Sequence, residues 1–124
     1  MGSKISIDAG EEEFSISTPW FSHKVPYDRI DGLSLRDYEG LVLGELVDGK
    51  HGTSNVGIFR NEEFGEYDMA SQVSSKVYIV MKIGERHVVF TQGNVEATKA
   101  LYVDIKRKIK ATGHVPSEKI GTIF

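Results

Sequence analysis

Two periodicities divide the chain. Phe14 and Ile16 alternate with Ser15 and Ser17, the period-2 pattern of a half-buried strand. Pro19, which has no N–H to donate, interrupts the pattern. A second strand is expected from Trp20 to Tyr27, with Phe21, His23 and Val25 on one face and Trp20, Ser22 and Lys24 on the other. Asp28 is placed to cap a short helical turn that Gly32 releases. Leu33 and Leu35 then alternate with Ser34 and Arg36 as the next strand begins. Residues 41–47 are apolar enough for a strand and end at the turn-forming pair Asp48-Gly49. The segment 48–57 holds three glycines among Ser, Thr and Asn, which predicts a loop.

The clearest strand pair comes last. Val77, Ile79, Met81 and Ile83 alternate with Tyr78, Val80 and Lys82; Gly84 and Glu85 turn the chain, and His87 to Thr91 return it. Tyr78 and Val80 make the second face of this strand apolar as well. Such a strand is either central in its sheet or covered by another subunit, which marks Tyr78 and Val80 as candidate self-association residues.

After Asn94 the period changes to 3.6. Asn94 is a good N-cap, and Glu96 complements the helix dipole in the first turn. Ala97, Leu101, Ile105 and Ile109 fall on one face, flanked by Ala100 and Tyr102. Lys106, Arg107, Lys108 and Lys110 crowd the C-terminal turns, where cations are favoured, and Gly113 is placed to end the helix. The expected organisation is an N-terminal extension (1–13), one domain (14–112) and a C-terminal tail (113–124) for which disorder is the default. A run of short strands closed by one amphipathic helix predicts a mainly β fold, a small barrel of two packed antiparallel sheets capped by the C-terminal helix.

Composition narrows the uses of such a domain. At 124 residues the chain is the size of one domain. It contains no cysteine, which excludes disulfides, thiolate metal sites and cysteine nucleophiles. A net charge of −3 gives no electrostatic case for nucleic acid. No apolar run approaches the ~18 residues of a membrane span. A soluble, cytoplasmic protein is the expectation.

Several local patterns resemble bacterial pleckstrin-homology-like families. Val25-Pro26-Tyr27-Asp28-Arg29-Ile30 is similar to the step linking an early strand to the next in those domains. Gly57-Ile58-Phe59-Arg60, followed by Phe64-Gly65-Glu66-Tyr67, resembles their mid-domain glycine–aromatic hairpin. Val77-Tyr78-Ile79-Val80 with Val88-Val89-Phe90, then Gly93-Asn94 and residues 95–110, resemble the final hairpin and closing helix. The likeness runs from Phe14 to Lys110 and implies a scaffold rather than a chemistry. Inositol-lipid binding does not carry over, because Lys24, Arg29 and Arg36 are interleaved with Asp28, Asp31 and Asp37 instead of forming a basic cluster.

Candidate chemistry is sparse. His23, His51, His87 and His114 show no metal-ligand spacing, and neither a metal nor another cofactor is expected. His51 and Ser54 share a glycine-rich segment without a visible orienting acid, so no catalytic residue is assigned. The same segment supplies the candidate ligand or partner residues Lys50, His51, Thr53, Ser54 and Asn55, although it lacks the order of a phosphate-binding loop. Lys24, Arg29 and Arg36 are further candidates. The expectation is a non-catalytic binding or scaffolding module for a protein partner or a second copy of itself. The alternative is binding of anionic lipid headgroups, or another small anion, at a membrane surface, through Lys24, Arg29 and Arg36 or the basic helix end at Lys106, Arg107, Lys108 and Lys110.

Overall fold

The structure, a computed structural model, describes residues 5–37, 44–52, 54–72, 76–118 and 120–123. Strands β1 (Ser6–Ala9), β2 (Glu13–Ser17) and β3 (Ser22–Pro26) form a small antiparallel sheet in that order. Thr18 shapes the bend before β3: its Oγ1 accepts hydrogen bonds from the amides of Trp20 (3.1 Å) and Phe21 (3.2 Å). A 3-10 turn at Tyr27–Arg29 leads into β4 (Ile30–Asp37). Then follow β5 (Glu45–Lys50), β6 (Ser54–Asn61), β7 (Gly65–Gln72), β8 (Val77–Ile83), β9 (Arg86–Phe90), helix α1 (Val95–Ala111) and β10 (Gly121–Ile123).

These later strands make one seven-stranded sheet in the order β10-β4-β8-β9-β7-β6-β5. The tight turn at Gly84 (φ 60°) folds β9 back beside β8. There β9 lies between β8 and β7 and pairs with β7 in parallel, Met69 opposite Val89. β10 pairs in parallel with β4, Thr122 opposite Leu35. The mainly β expectation with one C-terminal helix therefore holds. The finer picture is corrected: the large sheet is mixed rather than antiparallel, and the two sheets do not close into a barrel.

The main core fills the space between the sheets and the helix. Phe14, Ile16 and Val25 from the small sheet meet Leu33, Leu35, Ile79, Met81, Val88 and Phe90 from the large one. The Phe14 and Phe90 rings stack with centroids 5.1 Å apart. Each such side chain contributes roughly 1.5–3 kcal/mol by leaving water. The other face of the large sheet has its own cluster: Phe59, Tyr67, Met69, Tyr78, Val80 and Val89, with Phe64 packed against it. Tyr78 and Val80 are only 2% and 3% exposed. The chain covers this face itself, so these two residues offer no surface to a second copy. The strand is doubly apolar because it is central.

The helix begins as expected, with Asn94 Oδ1 accepting from the Ala97 amide at 2.8 Å. Its buried stripe is Thr98, Tyr102, Ile105 and Ile109, rotated from the expected one; Ala97 and Leu101 are half-buried and Ala100 is exposed. Polar anchors set the rotation. Thr98 Oγ1 accepts from the Gln92 amide (2.9 Å) and donates to the Asn94 carbonyl (2.8 Å). The Tyr102 hydroxyl donates to the Gly121 carbonyl (3.1 Å).

Three boundaries also change. Residues 6–9 are β1 of the small sheet, so the N-terminal extension is shorter than expected. The tail returns to the domain, where Ile120 packs on the core and Gly121–Ile123 pair with β4. Finally, Asp48 to Lys50 and Ser54 to Gly57 are paired strand, not loop. Gly49 and Gly57 face each other there at φ +140° and +139°, so close that a Cβ on either would overlap the opposite backbone. Their glycines serve strand approach rather than turning. The apolar residues 41–43 lie outside the described residues.

Candidate functional site

The segment 48–57 holds no assembled site. Lys50 and His51 are exposed at the β5–β6 hairpin end, His51 tilted against Phe59 at 6.4 Å. Ser54 is half-buried, and Thr53 lies outside the described residues. Asn55 is a correction: at 2% exposure it faces the interior, opposite Ser71 on β7. Asn55 Oδ1 and Ser71 Oγ are both buried without a hydrogen-bond partner.

The free edge of β5 is guarded. Leu46 and Val47 are 41% and 42% exposed there. However, the ladder shifts register between Leu46 and Asp48, charged Glu45, Asp48 and Lys50 line the strand, and Gly49 departs from ordinary strand dihedrals. Natural proteins use such bulges and charges to block edge-to-edge pairing.

The three candidate cations Lys24, Arg29 and Arg36 are separated and differently engaged. Lys24 lies 3.4 Å from Glu13 on the small sheet, and Arg29 is exposed on the 3-10 turn. Arg36 is buried. Its Nη1 donates to both Glu63 oxygens at 2.8 Å, its Nε donates to Ser34 Oγ at 3.1 Å, and its guanidinium sits 5.2 Å from the Phe64 ring centroid. His87 stacks on the same ring at 4.3 Å. Arg36 is a structural cation, already neutralised and out of reach of a lipid headgroup.

Among the described residues the most buried charged side chain is Asp68 on β7, where the two sheets meet. Its Oδ2 is 2.5 Å from His23 Nε2 on β3, and its Oδ1 accepts from Arg86 Nη2 (2.5 Å) and Nε (3.2 Å) on β9. Burial is the largest single influence on this carboxyl and pushes its pKa up. The hydrogen bonds from His23 and Arg86, with their charges, outweigh it and hold the group below the usual carboxylate range. This residue escaped the sequence reading. The available signal was an acid in phase with Ala70, on the core-facing side of a strand.

The strongest surface feature is the outer face of α1. Lys99, Val103, Lys106 and Lys110 recur at helical spacing, so they share one side. Val103 is 60% exposed at the centre of this stripe. A shallow concavity of about 320 Å³ there is lined by Tyr102, Val103, Lys106, Arg107 and Lys110. Lys106 Nζ sits 5.9 Å from the Tyr102 ring centroid. In the sequence these basic residues complement the helix dipole or offer a contact to anionic lipid or a partner; Val103 among them carries no such signal.

An acidic surface borders this helix. A concavity of about 380 Å³ at the β1–β2 turn is lined by Asp8, Gly10, Glu11, Glu12, Glu13, Ser15 and Lys24. Lys108, on the flank of α1 opposite that stripe, holds the helix to this surface, donating from Nζ to the Ala9 carbonyl (2.7 Å) and to Asp104 (3.0 Å). The Lys108 hydrogen bond, helped by Arg107, holds the Asp104 carboxyl below its ordinary range. A third cleft, about 370 Å³, opens where β1 meets the ends of β7 and β9, lined by Ile5, Ile7, Ser71, Thr91 and Gly93 among others.

Among the described residues no three His, Asp or Glu side chains converge as a metal site, and no helix is long and apolar enough to cross a membrane. No protein-family model matches the chain, and no curated protein or solved structure matches it.

Proposed function

We propose that the protein is a non-catalytic interaction module of the pleckstrin-homology-like kind, acting in the cytoplasm, and that the outer face of α1 is its docking surface. The observation that carries this reading is Val103, an exposed aliphatic side chain ringed by Lys106, Arg107 and Lys110 over a shallow concavity. An apolar contact framed by cations selects an apolar group framed by carboxylates. The helix carries Lys99, Lys106, Arg107, Lys108 and Lys110 against Glu96 and Asp104, while the whole chain is net −3. The positive potential is therefore local, and it steers a partner to one side of the molecule. The mainly β fold with one helix towards its C-terminus supports the family part of the proposal.

Calorimetric titration with a short synthetic peptide alternating Glu and Leu tests the surface. Binding at low salt that is lost in both Val103→Glu and Lys106→Glu supports it. An affinity unchanged in both variants overturns it. Vesicles rich in anionic lipid form the second arm: vesicle binding through the same residues, with no peptide binding, would replace the protein partner with a membrane surface.

A further inference from the structure

A chain of contacts runs from the cationic stripe of α1 to one edge of the large sheet, and from it we propose that the partner docks as an extended acidic segment added to β10 as a further strand. The proposal rests on the docking surface described above and adds the form its occupant takes. Lys106 Nζ sits 5.9 Å from the Tyr102 ring centroid, and the Tyr102 hydroxyl donates to the Gly121 carbonyl at 3.1 Å, where β10 begins. Lys108 and Asp104 occupy the other flank, where Lys108 holds Ala9 of the small sheet. The stripe of Lys99, Val103, Lys106 and Lys110 therefore borders β10, with one tyrosine between them.

β10 is the last strand on its side of the seven-stranded sheet, and among the described residues no strand pairs with its outer edge. The opposite edge, β5, is blocked by a register shift and by Glu45, Asp48 and Lys50. β10 has neither device: it pairs with β4 in continuous register, and Gly121, Thr122 and Ile123 are uncharged. An added strand gains affinity from main-chain hydrogen bonds and specificity from alternate side chains. Because α1 packs over β4 and β8, every second side chain of that strand lies on the helix side of the sheet, beside the stripe. Lysines there select carboxylates at alternate positions. So short an edge holds a partner weakly by its backbone alone, and the cations decide which segment stays.

Backbone methylation of the alternating Glu and Leu peptide tests the added strand on the full, unaltered chain. In an extended peptide the amides of successive residues point to opposite edges, so all Glu amides share one edge and all Leu amides the other. One peptide is N-methylated at every Glu and a second at every Leu, and both are titrated calorimetrically at low salt beside the unmodified peptide. Methylation of the edge facing β10 is expected to weaken binding about tenfold or more, while methylation of the outer edge leaves it within about twofold. Amide hydrogen exchange in residues 121–123 is expected to slow when the unmodified peptide is bound. Equal affinity of the two methylated peptides, whether retained or lost, overturns strand addition, as does exchange in β10 that the peptide leaves unchanged. If the unmodified peptide then still loses affinity in Lys106→Glu, the docking surface stands without this mode of binding. An unmodified peptide that fails to bind removes the docking surface and the strand together.

Discussion

His23 Nε2 lies 2.5 Å from Asp68 Oδ2, a polar tie between the small sheet and the large one. Arg86 holds the other carboxylate oxygen from β9. Removing the charge of a buried carboxylate that accepts from an arginine and a histidine destabilises strongly, because Arg86 loses its counter-charge and both donors lose their acceptor. Asp68→Asn is expected to lower unfolding free energy by about 2 kcal/mol in urea titrations near neutral pH. A change within error would show that the tie is energetically idle.

The same carboxyl gives a pH dependence of known sign. Its folded pKa lies below its unfolded value, so the folded state binds the proton less readily. The stabilisation is present above the unfolded pKa, about 3.9, and is lost as pH falls through that value towards the folded one. Urea midpoints between about pH 2 and pH 6 should fall less steeply with acidification in Asp68→Asn than in the wild type.

Tyr27 governs the alkaline side. Its pKa is pushed up to about 12, first by burial and then by the charges of Asp104 and Asp8. Its hydroxyl also donates to the Gly10 carbonyl at 2.5 Å. Because the folded pKa is raised, the contribution to stability is full below the unfolded value of about 10 and is lost as pH rises through 12. Ultraviolet phenolate titration should show late-ionising tyrosines, one fewer in Tyr27→Phe, in which Tyr67, also raised by burial, remains. An ordinary titration for all five tyrosines would contradict this environment.

Gly57→Ala is expected to destabilise the β5–β6 hairpin by about 1–3 kcal/mol, through positive φ and contact with the Asp48 backbone. Gly52, in the same glycine-rich segment, has open space around it, and Gly52→Ala is the matched control. Equal thermal midpoints for the two variants would refute the strand-approach role of Gly57.

Ser71→Ala should leave stability unchanged or raise it by up to about 1 kcal/mol, because the hydroxyl it removes is buried without a partner. A loss of more than about 1 kcal/mol in chemical denaturation would mean that this hydroxyl is satisfied in solution, by a bound water for example.

Local signals made the outline of the fold readable. The β8–β9 hairpin follows from alternation on both sides of Gly84, and the start of α1 from Asn94 and Glu96. The segment 48–57 misled because glycine encodes two different demands, a turn or a close approach. Only the partner strand distinguishes them, as it does at Gly49 and Gly57. The parallel pairing of β9 with β7, and of β10 with β4, has no local signature at all. The same limit applied to the site. His23 and Arg86 stand 45 and 18 residues from Asp68, so no spacing rule joins them. By contrast, the α1 face was present in the helical spacing of Lys99, Val103, Lys106 and Lys110.

The insertion of β9 between β8 and β7 also constrains how the chain becomes a protein. As synthesis proceeds, β5, β6 and β7 can form a meander from neighbouring segments, yet among the described residues no strand pairing joins it to β4 and β8 until Phe90 has emerged. Until then the inner edge of β7 is an unpaired template, open to another nascent chain. The last strand before the helix is therefore the keystone of the large sheet. A chain stopped short of it would keep most of its strands and lose the sheet they belong to.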